Sequence, residues 1–141
     1  IHHLETLLSY DAIYPGARPA LARAYYSQGL ITLQAEKNEE ALVLFDKALE
    51  YKRDDTDFFF AKGLAHFALL QYEPAIKAYE GAVRLDLDHL GALQNMATAY
   101  ELLNRHEEAL TYYKRVQELA PHLSSIEAAR DAKFGVETLI R

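Results

Sequence analysis

The 141-residue chain predicts an all-α fold of stacked helix pairs, and three observations carry that expectation. Apolar residues recur at spacings of three and four, the period of a helix face. Small and aromatic residues return at a fixed step of 34, in four columns: Gly29, Gly63 and Ala97; Ala41, Ala75 and Ala109; Phe45, Tyr79 and Tyr113; Tyr25, Phe59 and Leu93. Polar clusters split each period in two, so that each unit reads as a helix, a turn and a second helix. Columns in register without an insertion mark an internal repeat, in which each unit buries its apolar face against the next.

Taken in order, residues 1–18 are out of phase with the repeat; Leu4, Leu7 and Leu8 suggest a short amphipathic helix, and "YPGARP" a turn into the first unit. Three units follow at 22–55, 56–89 and 90–123, with helices expected near 19–34, 38–51, 56–70, 72–86, 90–103 and 106–120. Pro74 falls in a first turn, where its missing N–H costs nothing, and Pro121 closes the last unit. Residues 124–141 open with a capping box, Ser124 three before Glu127, and carry a stripe of Ile126, Ala129, Val136 and Ile140. A helix there would cap the exposed core of the third unit, weakened by about 1 kcal/mol at Gly135.

The columns have a packing meaning. Two antiparallel helices approach closely only where one presents little bulk, which Gly29, Gly63 and Ala97 do on the first helices and Ala41, Ala75 and Ala109 on the second. The aromatic at 45, 79 or 113 fills the space beside them, and Ala48 and Ala82 leave room for the next unit's first helix. A 34-residue pair with these features resembles the tetratricopeptide repeat. The segments "YYSQGLITLQAEKNEEALVLFDKAL", "FAKGLAHFALLQYEPAIKAYEGAV" and "LQNMATAYELLNRHEEALTYYKRV" all follow that family's pattern, and the resemblance covers residues 22–123. It departs where the aromatic late in the first helix, kept at Tyr100, becomes His66 and Thr32. The fold so implied is an α-solenoid of three such repeats, with an N-terminal helical segment and a C-terminal capping helix.

Bulk composition restricts function. Half the residues are apolar and 26% charged, as in a globular chain. A net charge of −6 with no basic run argues against a nucleic-acid partner. Without cysteine there is no disulfide framework or thiolate metal site, and no apolar run reaches the length of a membrane span. These features fit a reducing compartment such as the cytoplasm without specifying one. The chain opens on Ile1 rather than Met, so a signal or anchor ahead of it is not excluded.

In such a stack the first helices line the concave wall. One stripe of the second unit's first helix is used in packing: Phe59, Gly63 and His66. The stripe one residue on holds Phe60, Leu64 and Phe67, with Tyr26, Leu30 and Leu33 equivalent in the first unit and Gln94, Thr98 and Glu101 in the third. Successive helical residues point about 100° apart, so Phe58, Phe59 and Phe60 cannot share one seam. These nine residues, with Asn95, are the candidate groove: apolar and aromatic over two units, polar over the third. The resemblance implies a peptide or helical segment of another protein as occupant. One subtype clamps acidic C-termini of heat-shock chaperones with Lys, Asn and Arg; the aligned positions here are Tyr26, Leu30, Ala61, Gly91 and Asn95, and only the Asn matches.

Catalysis, cofactors and metals find no support in the sequence. His66 is expected to be a satisfied interior histidine, and Asp88 in "DLDH" a helix N-cap rather than a metal ligand. "HEEA" at 106–109 lacks the second histidine of a zinc helix, and Glu107 and Glu108 suit a helix N-terminus. Lys77, Glu80, Arg84, Lys114 and Arg115 read as a solvated outer face. Two expectations remain: a non-enzymatic interaction scaffold or adaptor, and a structural module whose groove is covered by its own residues 1–18 or by a second copy of the chain.

Overall fold

A computed structural model describes residues 16–120. Six helices follow one another: α1 Ala17–Gln34, α2 Asn38–Tyr51, α3 Thr56–Ala68, α4 Tyr72–Leu85, α5 Leu90–Leu102 and α6 His106–Leu119. Among the described residues there is no strand. The expected helices are all present, with ends moved by no more than two residues. The N-terminal helical segment, Pro121 and the capping helix over 124–141 lie outside the described residues.

The helices pack as antiparallel pairs, α1 with α2, α3 with α4 and α5 with α6, and each pair docks on the next through α2 against α3 and α4 against α5. The bulk-poor column sets the closest approach. A Cβ on Gly29 would stand 2.5 Å from Cε1 of Phe45, and one on Gly63 would stand 2.5 Å from Cδ1 of Tyr79. Phe45 and Tyr79 are fully buried, whereas Tyr113, opposite Ala97, keeps 6% exposure. One methyl group therefore displaces the ring that faces it. Ala48 packs with Phe58, and Ala82 with Ala92 and Met96, so the second helices' alanines seat the following unit as expected.

A further column appears only in three dimensions. Glu36, Leu70 and Asn104, again 34 apart, close the first helix of each unit with φ of 63°, 62° and 61°. Each sits in a turn where the next residue's N–H returns to a carbonyl five back: Lys37 to Thr32 at 3.1 Å, Gln71 to His66 at 2.9 Å and Arg105 to Tyr100 at 2.9 Å. These are Schellman closures, which satisfy carbonyls that the helix end would otherwise orphan. No side chain caps α2, α4 or α6; acidic residues in their first turns, Glu39 and Glu40, Glu73, and Glu107 and Glu108, complement the helix dipole instead.

Two assignments need correction. Asp88 is not an N-cap: α5 starts one residue later, His89 takes that position, and its Nδ1 accepts the Ala92 N–H at 3.0 Å. Asp88 accepts instead from Arg115 at 3.3 Å, tying α6 to the turn between units. His66 is not interior either. It lies near the C-terminal end of α3, half-buried, with Nδ1 2.8 Å from Oε1 of Gln71 across the turn.

Candidate protein-binding groove

The three phenylalanines of α3 separate as helix geometry requires. Phe58 turns back into the first unit, 1% exposed, its ring centroid 4.9 Å from that of Tyr26. Phe59, expected in the buried packing stripe, is half-buried and lies on Gly81 of α4, where a Cβ would meet its Cδ1 at 2.5 Å. Phe60 points towards the third unit, its centroid 5.8 Å from Tyr79 and 4.7 Å from His89, and it would meet a Cβ on Gly91 at 3.1 Å. Tyr26 and Phe60 thus bridge successive first helices, so α1, α3 and α5 present a continuous wall. Gly81 was not legible as a contact point, because it falls outside the repeated columns.

All ten candidate residues are half-buried: Tyr26, Leu30 and Leu33 on α1, Phe60, Leu64 and Phe67 on α3, and Gln94, Asn95, Thr98 and Glu101 on α5. Tyr26, Leu30 and Leu33 pack on the cluster of Ala41, Phe45, Ala61 and Ala65, and Phe67 meets Tyr72 edge-on at 5.3 Å. Their inner surfaces serve the core while their outer surfaces remain accessible. Ala61, one of the clamp positions, is itself buried.

The third-unit end is organised by two tyrosines whose hydroxyl roles the sequence did not reveal. Asn95 donates to the Tyr79 hydroxyl at 3.3 Å. Tyr113 donates to Oε2 of Glu101 at 2.7 Å, with Thr98 Oγ1 3.5 Å away. Both stand in the one column that starts at Phe45, where the sequence shows only a packing role; the available signal is that polar residues replace apolar ones in α5. Burial pushes the Tyr79 phenol up to about 12, against the opposing effect of the Asn95 bond. Burial also raises Tyr113 to about 12, opposed by Thr98 and reinforced by Glu101. At neutral pH both phenols are therefore neutral and available to donate a proton.

Chemically the wall is an apolar and aromatic surface with a neutral polar end and one carboxylate. Among the described residues no group of three or more His, Asp or Glu side chains is arranged to hold a metal ion, and no helix is long and apolar enough to cross a membrane. Lys77, Glu80, Arg84, Lys114 and Arg115 are exposed, as expected of a solvated face.

Helix pairs repeated at 34 residues beside a partly open apolar wall define a helical-repeat solenoid. Residues 34–116 match the family model for anaphase-promoting complex, cyclosome, subunit 3, and the chain belongs to that family of tetratricopeptide-repeat proteins. Protein O-mannosyl-transferase TMTC1 of Mus musculus is 30% identical over 107 residues, which are 73% of this chain and 11% of that relative. The chain spans only about a tenth of the length of the first curated relatives it matches. Among solved structures, the second TPR domain of human RPAP3 in complex with an HSP70 peptide superposes with a TM-score of 0.78 at 18% identity, covering 88% of this chain and 98% of that one. The Yersinia enterocolitica secretion chaperone SycD, in complex with a peptide of the translocator YopD, gives 0.76 at 21% identity, over 83% of this chain and 90% of that one. At these identities the structures establish a shared fold.

Proposed function

We propose that the wall of α1, α3 and α5 binds a peptide or helical segment of another protein, and that the chain acts as a non-enzymatic scaffold or adaptor. The observation that carries this reading is the common half-burial of all ten candidates in register on three adjacent helices. A stripe used only for core packing would be closed; a stripe with no role would be polar throughout, whereas on α1 and α3 it is apolar and aromatic. Proteins of the same fold, RPAP3 and SycD among them, were solved with peptides of partner proteins, which supports the same use here. The mouse transferase shares with this chain only 107 residues, 11% of its own length, so no glycosyl transfer is proposed. Neither a nucleic acid nor a bilayer is proposed as partner, the chain carrying a net charge of −6.

The test replaces Leu64 or Phe60 by Glu. Each is half-buried, so a carboxylate at its outer end reaches water while spoiling the apolar surface. Capture of peptide should fall at least tenfold with the helical circular dichroism retained. Unfolding, or the splitting of a dimer seen by light scattering, would show instead that the stripe is covered within the chain or by a second copy.

A further inference from the structure

Resting on the groove reading above, we infer that the segment it binds is cationic at the end lying over α5 and apolar over α1 and α3. Glu101 is the charged member of the candidate wall, and its partner is a neutral one. Tyr113 holds Oε2 at 2.7 Å, which fixes the carboxylate on the wall and leaves Oε1 available. No basic side chain among the described residues pairs with Glu101. Arg105, four residues on, is otherwise engaged: it pairs with Glu108 and lies over the Tyr100 ring.

At the opposite end two carboxylates stand against one cation. Arg23 lies 5.7 Å over the Tyr26 ring, and Asp57 and Asp55 act on the same phenol with opposite sign. An acidic tail would therefore meet the Glu101 carboxylate at one end and Asp55 and Asp57 beside Arg23 at the other. The peptides bound by the RPAP3 domains, SRMEEVD and SGPTIEEVD, have the opposite chemistry to the one inferred here. A lysine, an arginine or a free N-terminal ammonium would each complement Glu101, and a charge-assisted bond to a carboxylate already fixed in place loses little side-chain freedom.

The test pans a phage library of random linear 12-residue peptides against the whole chain, then measures the enriched peptides by fluorescence anisotropy. Enriched sequences should favour Lys and Arg over Asp and Glu at one end and large apolar residues at the other. Replacing that basic residue by Glu should weaken binding about tenfold, and Glu101→Lys should restore the altered peptide while weakening the original. Glu101→Gln should weaken the basic peptide without admitting the acidic one. Paired peptides with free and acetylated N-termini identify the ammonium as the cation if only the free form is sensitive to Glu101→Lys. Acidic enrichment, or enriched peptides indifferent to Glu101→Lys in a variant that keeps its melting temperature, would overturn the inference alone. A library with no enriched peptide, or enrichment unaffected by Leu64→Glu, would overturn the groove reading beneath it.

Discussion

Gly63→Ala adds one methyl group where α3 and α4 are closest. Its Cβ would lie 2.5 Å from Cδ1 and 2.8 Å from Cζ of Tyr79. Ordinary carbon contacts lie at about 3.5–4.0 Å, so the ring has to withdraw by about an ångström. Tyr79 is fully buried and its hydroxyl is held by Asn95 at 3.3 Å, which resists the movement. Overpacking of this kind costs about 1–3 kcal/mol, while replacing a mid-helix glycine by alanine returns about 1 kcal/mol. A net loss of about 1 kcal/mol is expected, about 4 °C in Tm for a domain of this size. A double-mutant cycle isolates the contact. With Tyr79→Leu already present the clashing ring atoms are gone, and Gly63→Ala should then stabilise by up to about 1 kcal/mol, a coupling of about 1–2 kcal/mol. Ala97→Gly is the control: Tyr113 already stands further out, so that change should cost only the helical preference, about 1 kcal/mol. Urea unfolding followed by circular dichroism measures all five proteins. If Gly63→Ala stabilises equally with and without the tyrosine ring, the bulk-poor column does not set helix approach and the packing argument fails.

Three further outcomes follow from local geometry. Leu70→Gly should raise stability by about 0.5–1 kcal/mol, because Leu70 is 70% exposed at a φ of 62° that a side chain disfavours; a lower Tm would contradict this. His89→Ala should cost about 1 kcal/mol through loss of the α5 cap, whereas Asp88→Ala, which removes an exposed ion pair, should change stability by less than about half of that; the reverse order in chemical denaturation would restore Asp88 as the cap. Because the Tyr79 and Tyr113 phenols are raised to about 12, the unfolded chain releases their protons first as pH rises past about 10. Their contribution should be complete below pH 10 and disappear as pH climbs towards 12; Tyr79→Phe should flatten the measured slope over that interval, and an unchanged slope would place the titration elsewhere.

Much of the fold was legible because a repeat prints the same constraint three times. Gly29, Gly63 and Ala97 could be recognised as a seam before any coordinate was known, since only a small residue permits that approach and the rings at 45, 79 and 113 recur with it. The candidate stripe followed from the same phase, one residue further round the helix. Other features left no such mark. Leu70 and Glu36 are poor residues for a positive φ, so the Schellman column stayed hidden although Asn104 belongs to it. His89 displaced Asp88 as cap because a boundary depends on which backbone N–H is left unpaired, which composition does not reveal.

The amino-acid order by itself determined the unit, its period and the faces available for packing, since these follow from helical spacing and side-chain bulk along a single chain. Only the tertiary structure decided where the three rings of Phe58, Phe59 and Phe60 go, and that the buried tyrosines 79 and 113 reach the wall with their hydroxyls. Those choices depend on what a neighbouring helix places opposite each side chain: a glycine at 81 or 91, a carboxylate at 101. Such pairings cross between helices, and a one-dimensional period carries no information about them.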